Sequence, residues 1–241
     1  MIPKIKNKKQ TLVVIPARWE STRLPGKPLS MIGNKPMIQH VWERSLKSEA
    51  DEVVIATDDK RIFDTATEFG AQAVMTPKCE TGTERVIGVQ DLKNADYIIN
   101  VQGDEPFIDH KDINTVIDII KRYDVVGSLV TELKENERTD RNVVKALVNE
   151  IGQVGMFTRS SSYIQHKNLY KHIGIYGYPK NILDKISIMP PSEGSIKDSL
   201  EQLTWLDNGI TIKAYSTLYK SFGVDTPEDL KKANEFYKTI S

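Results

Sequence analysis

Along the first half of the chain, short apolar runs rich in β-branched residues alternate with stretches whose apolar positions recur every three or four residues. Residues 11–17, 52–57, 71–75, 97–101 and 125–130 read as strands, and residues 37–48, 60–69, 83–92 and 111–122 as helices. This strand–helix alternation predicts an α/β fold with a mostly parallel central sheet and helices on both faces. From about Asp140 the pattern changes. Strand-like segments at 143–148, 154–157 and 172–178 follow one another with few helices between them, which predicts antiparallel pairing there. A helix over 198–208 and a strand over 210–215 come next. Thr226 then stands as an N-cap, with Pro227 at the first helical position and Glu228 and Asp229 in the first turn, opening a last helix to about residue 239. With no internal repeat and no low-complexity linker, residues 1–241 are expected to form a single domain, its first half spanning about 11–130.

Composition narrows the function classes. Lys plus Arg and Asp plus Glu balance at 33 each, which argues against a broad nucleic-acid surface and makes any phosphate binding local. One cysteine, Cys79, rules out an intrachain disulfide and fits a reducing compartment. The chain lacks an apolar run of about 18 residues, and its start is polar and lysine-rich with no apolar signal core. No membrane association and a cytoplasmic location are expected.

The first strand runs into a loop holding Arg18, Ser21, Arg23, Gly26 and Lys27. Three cations within ten residues suit a polyphosphate, which would neutralise them, although a solvated basic loop has the same composition. Neither a Gly-x-Gly-x-x-Gly turn nor a P-loop occurs: Ser21 stands where the P-loop's first glycine would be, and Pro28 follows Lys27. In an open α/β sheet, ligands bind beyond the carboxyl ends of the strands. There Gln102-Gly103-Asp104-Glu105-Pro106 presents Asp104 as a first candidate ligand for magnesium, a cation that needs only one or two protein carboxylates beside substrate phosphates and water. Asp225 is the natural second, with a helix-terminal acid as its structural alternative. Asp58 and Asp59 read as helix-capping residues, and Arg85 either reaches a nucleotide or pairs on a helix surface.

Taken in order, these pieces resemble the 3-deoxy-manno-octulosonate cytidylyltransferases. The resemblance rests on Ile15-Pro16-Ala17-Arg18 through Pro28-Leu29, Gly33 through Ile38, Ala56-Thr57-Asp58-Asp59, Gly82-Thr83-Glu84-Arg85 and Asn100 through Pro106. It continues with Asn142-Val143-Val144-Lys145, Phe157 to Arg159, His172 through Tyr178, Leu200-Glu201-Gln202-Leu203 and Gly223 through Leu230. It implies a nucleotidyltransferase-type fold of the nucleotide-diphospho-sugar transferase kind, a homodimer, and the transfer of CMP from CTP to a 3-deoxy-ulosonic acid for lipopolysaccharide or capsule. Carried over residue by residue, Arg18, Ser21, Arg23 and Lys27 hold the triphosphate, with Arg85 near the nucleotide. Asp104 and Asp225 hold Mg2+ and, with Lys27, form the catalytic set. Gln102, Arg159, His172, Tyr176 and Glu201 line the sugar-acid pocket. The stretch 140–222 then serves sugar binding and dimerisation, and 223–241 is the metal loop and closing helix.

The chemistry is consistent with that assignment. An anomeric hydroxyl attacking the α-phosphorus in line with departing pyrophosphate needs positioning and charge neutralisation more than a separate protein base. Arg159 is suited to gripping a carboxylate with two parallel bonds. His172, Gly174, Tyr176 and Tyr178 share one strand face by period two, so each is either cleft-lining or packed. The chain departs from the family at Ser160-Ser161-Ser162-Tyr163-Ile164, where a Pro-Ile-Pro-like turn is usual, and at Ser192 through Asp198. An 8-amino-substituted octulosonate or a sialic-type acid is therefore an alternative substrate, and a non-catalytic nucleotide binder the alternative from another class.

Overall fold

The computed structural model describes residues 9–219 and 221–240, and the polar, lysine-rich chain start up to residue 8 lies outside them. In chain order the strands of the first half are β1 (Thr11–Ala17), the paired two-residue β2 (Met31–Ile32) and β3 (Lys35–Pro36), β4 (Glu52–Thr57), β5 (Gln72–Met75), β6 (Tyr97–Val101) and β7 (Val126–Thr131). Between them lie helices α1 (Met37–Ser45), α2 (Lys60–Glu68), α3 (Gly82–Lys93) and α4 (His110–Tyr123). The second half adds β8 (Lys145–Val148), β9 (Val154–Thr158), β10 (Leu169–Pro179), α5 (Lys180–Ile186), α6 (Glu193–Asp198), α7 (Glu201–Asp207), β11 (Ile212–Ser216) and α8 (Pro227–Ile240).

The main sheet runs β11-β7-β10-β6-β1-β4-β5. Strands β5, β4, β1 and β6 are mutually parallel, and β10 is inserted antiparallel between β6 and β7. The expected antiparallel region is thus present, but as a strand in the middle of the sheet, with β8 and β9 continuing from it as an antiparallel flap. Every residue of β1 is buried, as a strand covered on both faces requires. Leu12 and Val14 enter one core with Val86 and Val89 of α3 and Trp205 of α7; Val13, Ile15 and Ala17 enter the other with residues of α1, α2 and α4. Helix α4 shows what binds the layers. Asp109 caps its N-terminus, and Ile113, Val116, Ile117, Ile119 and Ile120 are buried along it. That burial contributes on the order of 10 kcal/mol before the entropy of ordering is subtracted.

Several expectations are corrected at their edges. The helix expected over 198–208 is α7, which starts only at Glu201, because Ser199 adopts a left-handed conformation (φ 51°) that ends α6, a helix the pattern did not predict, just before it. Helix α5 follows Pro179 directly, and β2 and β3 are too short to show periodicity. A third core gathers Phe107, Val224 and Ala233 with Phe222 and Phe236, fixing α8 beneath the segment that carries Asp225.

Candidate active site

Beyond the carboxyl ends of β1 and β6 lies a cleft of two adjoining cavities, of about 800 and 960 Å³. The phosphate loop walls the first. Gly26 sits at its turn with φ +67°, and a Cβ there would lie 2.8 Å from the Trp19 ring, so the position requires glycine on two counts. Gly103 plays the matching part at the end of β6, where a Cβ would meet the Pro16 carbonyl oxygen at 2.8 Å; its absence lets the Gln102–Asp104 turn close onto β1.

Lys27 is the centre of the first cavity. Its Nζ donates to Asp104 Oδ2 at 2.6 Å and to Asp225 Oδ1 at 2.9 Å, and Arg23 pairs with the other oxygen of Asp225 at 3.2 Å. Burial opposes the Lys27 charge, but the two carboxylates outweigh it and raise its pKa. Asp225 moves the other way: burial raises its pKa, while Lys27 and Arg23 pull it below the usual range. Arg18 lines the same cavity, exposed and without an ion pair among the described residues. Ser21 lies in the wall, its Oγ accepting from the Leu24 amide.

Four cationic and four anionic side chains line this cavity: Arg18, Arg23, Lys27 and Arg85 against Glu20, Glu80, Asp104 and Asp225. A triphosphate entering it would bring about four negative charges into a cavity whose own charged side chains balance, and an added cation would help to offset them. Asp104 and Asp225 already converge on one positive centre. No cluster of three or more His, Cys, Asp or Glu side chains able to enclose a metal exists among the described residues. Two carboxylates converging on one centre would suit a hard divalent cation such as Mg2+, which takes much of its coordination from phosphate and water.

Asp58 and Asp59 do not join this pair. Asp59 caps α2 by accepting from the Arg61 amide. Asp58 binds Arg85 Nη2 at 2.9 Å, and Arg85, 3% exposed, also donates to the Thr76 hydroxyl. Arg85 thus lies in the cavity wall as a buried brace between α3 and the ends of β4 and β5.

Gln102 lines both cavities, as do Glu80, Thr81 and Gly82. His172, Gly174, Tyr176 and Glu201 line the second. The register of β10 against β7 shifts between Ile173 and Tyr176 by two residues, an even number that leaves side-chain facing unchanged. Tyr178 is fully buried behind the cavity, its hydroxyl 3.4 Å from Thr83 Oγ1. Burial pushes the His172 pKa down to about 3, so the ring is neutral at physiological pH; its Nε2 is 3.0 Å from Ser128 Oγ. Burial raises the Glu201 pKa, while the Thr83 hydroxyl, donating at 2.7 Å, opposes that shift.

Arg159 is placed elsewhere. It lines neither cavity, and its guanidinium donates to the carbonyls of Arg141, Asn142 and Asp198, tying the segment before β8 to the end of α6. Residues not singled out by the sequence also belong to the site. Ser128 orients His172, Thr83 holds Glu201, and Trp205 stands edge-on to Tyr176 with ring centroids 5.0 Å apart. Trp205 was recoverable as the residue one helical turn after Glu201; Ser128 carried no local signal.

The sequence profile of the cytidylyltransferase family matches residues 12–238. The 3-deoxy-manno-octulosonate cytidylyltransferase of Thermodesulfovibrio yellowstonii is 42% identical over 253 residues, covering 96% of this chain and 99% of its own. That of Solibacter usitatus is 39% identical over 240 residues, covering 95% of each. A solved CMP:2-keto-3-deoxy-manno-octonic acid synthetase complexed with CTP is 38% identical with a TM-score of 0.91, covering 96% of this chain and 100% of that one. UDP-glucose pyrophosphorylase from Acinetobacter baumanii, 14% identical with a TM-score of 0.71 over 95% of this chain and 93% of its own, shares the fold.

Proposed function

The chain belongs to the cytidylyltransferase family, and we propose that it transfers CMP from CTP to 3-deoxy-manno-octulosonate, releasing pyrophosphate. The observation that carries this reading is the shared wall of the two cavities. Glu80–Gly82 and Gln102 border both, so a nucleotide held by the loop cations meets a sugar acid held by His172, Tyr176 and Glu201 at Gln102.

The roles follow from the geometry. Arg18, Arg23 and Lys27 neutralise the triphosphate and the departing pyrophosphate. Asp104 and Asp225 would hold Mg2+, which when bound supplies Lewis-acid polarisation of the phosphate. In a 3-deoxy-ulosonic acid the carboxylate and the attacking hydroxyl sit on the same carbon, so the carboxylate belongs at the junction, near the cations of the first cavity. The second cavity, lined by no lysine or arginine among the described residues, is left to read hydroxyls. Glu201 and neutral His172 offer acceptors there, and the Gln102 amide offers both a donor and an acceptor. Arg159, held by three carbonyls, acts in this scheme by bracing the cavity rim.

Glu80, Glu84 and Glu201 in a second cavity without a cation also suit an octulosonate carrying an amine, and this is the second reading. By family resemblance we assign the product to lipopolysaccharide or capsule synthesis and the protein to a cytoplasmic homodimer; no helix among the described residues is long and apolar enough to cross a membrane. The test is pyrophosphate release with CTP, magnesium and a panel of 3-deoxy-manno-octulosonate, its 8-amino analogue and N-acetylneuraminate. The parent acid is expected to give the highest kcat/KM, and Asp104→Ala to lower it at least a thousandfold. Preference for the amine would select the second reading. CTP binding without turnover of any acid would overturn both.

A further inference from the structure

The phosphate loop needs an anchor that survives ligand binding. Its ion pairs through Lys27 and Arg23 use Asp104 and Asp225, the groups that must rearrange when phosphate and metal arrive. Its other hydrogen bonds, among them Leu24 N to Ser21 Oγ, Gly26 N to Trp19 O and Lys27 N to Leu24 O, lie within the loop, and Leu24 packs on the third core, a different core from the one beneath Trp19. Glu20 reaches Lys78, but both side chains are 75% exposed, and an ion pair so solvated restrains little.

Trp19 is held differently. The Arg61 guanidinium lies 3.4 Å from the centre of its ring. Arg61 is itself fixed by Asp59, which accepts from Nε at 2.9 Å and from Nη2 at 2.6 Å while also capping α2 through the Arg61 amide. The six-membered ring of Trp19 also fills the space beside Gly26 that a Cβ would occupy, and Trp19 packs on the core beneath. A continuous stack therefore runs from the first turn of α2 through Arg61 and Trp19 to the turn that carries Lys27. Arg61 does not line the nucleotide cavity.

We infer that Asp59, Arg61 and Trp19 form a strut that sets the phosphate loop in its nucleotide-binding shape, with Arg61 a positioning residue acting through Trp19. The inference rests on the first cavity being the CTP site. Without the strut the loop samples other shapes, and apparent CTP affinity falls by the fraction of time it is competent.

The test is calorimetric binding of CTP with magnesium to the wild type, Arg61→Ala, Arg61→Lys, Trp19→Leu and the double variant, beside KM for both substrates and the thermal midpoint. Arg61 is exposed, so its replacement leaves the fold intact. Arg61→Ala is expected to weaken CTP binding about tenfold, with KM for the sugar acid and the midpoint unchanged. Arg61→Lys recovers part of the loss, because an ammonium has no flat face to lay on the indole. In the Trp19→Leu background, Arg61→Ala has no further effect. Wild-type affinity in Arg61→Ala, or a full tenfold effect of Arg61→Ala in the Trp19→Leu background, overturns the strut. Failure of the wild type to bind CTP overturns the nucleotide reading beneath it.

Discussion

Asp112, in the first turn of α4, is 1% exposed; one carboxylate oxygen accepts from the Thr217 hydroxyl and the other has no hydrogen-bond partner among the described residues. Burial is the main cause that lifts its pKa from 3.8 to about 6. Because the folded pKa lies above the unfolded one, the folded protein holds this proton more tightly. The contribution to stability is therefore full below about pH 4, is lost as pH rises through about 6, and stays lost above it. A swing of that size corresponds to about 3 kcal/mol as an upper figure. Asp112→Asn keeps an acceptor for Thr217 and has no charge to bury. The variant should gain on the wild type by about 2 kcal/mol between pH 4.5 and 7.5, read from urea midpoints; a constant difference over that range would contradict the assignment. At the same scale, Lys27 joins the loop to the ends of β6 and of the segment before α8 through Asp104 and Asp225.

At the scale of elements, α8 sets the position of Asp225. Phe236 packs edge-on against Phe107 at 4.8 Å between centroids and against Phe222 at 5.8 Å, and Asn234 bonds the Gly33 amide and the Met31 carbonyl of the β2–β3 hairpin. Phe236→Ala should cost about 2–3 kcal/mol and lower kcat more than KM for the sugar acid, since it loosens a metal ligand and leaves the second cavity intact. Unfolding curves and steady-state kinetics check both, and a stable variant with normal kcat would refute the coupling.

How far elements were legible depends on how local their causes are. Strands 52–57 and 97–101 matched to the residue, because buried parallel strands write continuous apolar runs into the sequence. The insertion of β10 between β6 and β7 was not legible, since pairing with partners tens of residues back along the chain leaves no local mark. Ser199 in a left-handed conformation and the two-residue hairpin strands fall below the length over which periodicity can be read. That the loop cations and Asp104 share one cavity could be read, because strand ends bring the residues that follow them together at one edge of the sheet. The placement of Arg159 could not: Asp198, one of its partners, lies 39 residues away in the chain.

On the scale of the whole molecule, the sheet gathers the ends of β1 and β6 with α3 and the segment before α8 around one cavity, while β10, α6 and α7 build the other beside it. In the proposed reaction this division would put the nucleotide on the parallel half and the sugar acid on the inserted half, with Gln102 between them. The central claim is that the bond made at that junction joins the sugar oxygen to the α-phosphorus. The direct measurement is the fate of separately labelled phosphates after single turnover with 3-deoxy-manno-octulosonate. The account predicts α-label in a CMP-sugar and γ-label in pyrophosphate, in equal amounts. Label from the γ-phosphate on the sugar, or released as orthophosphate with the α-label left in CDP, would contradict it.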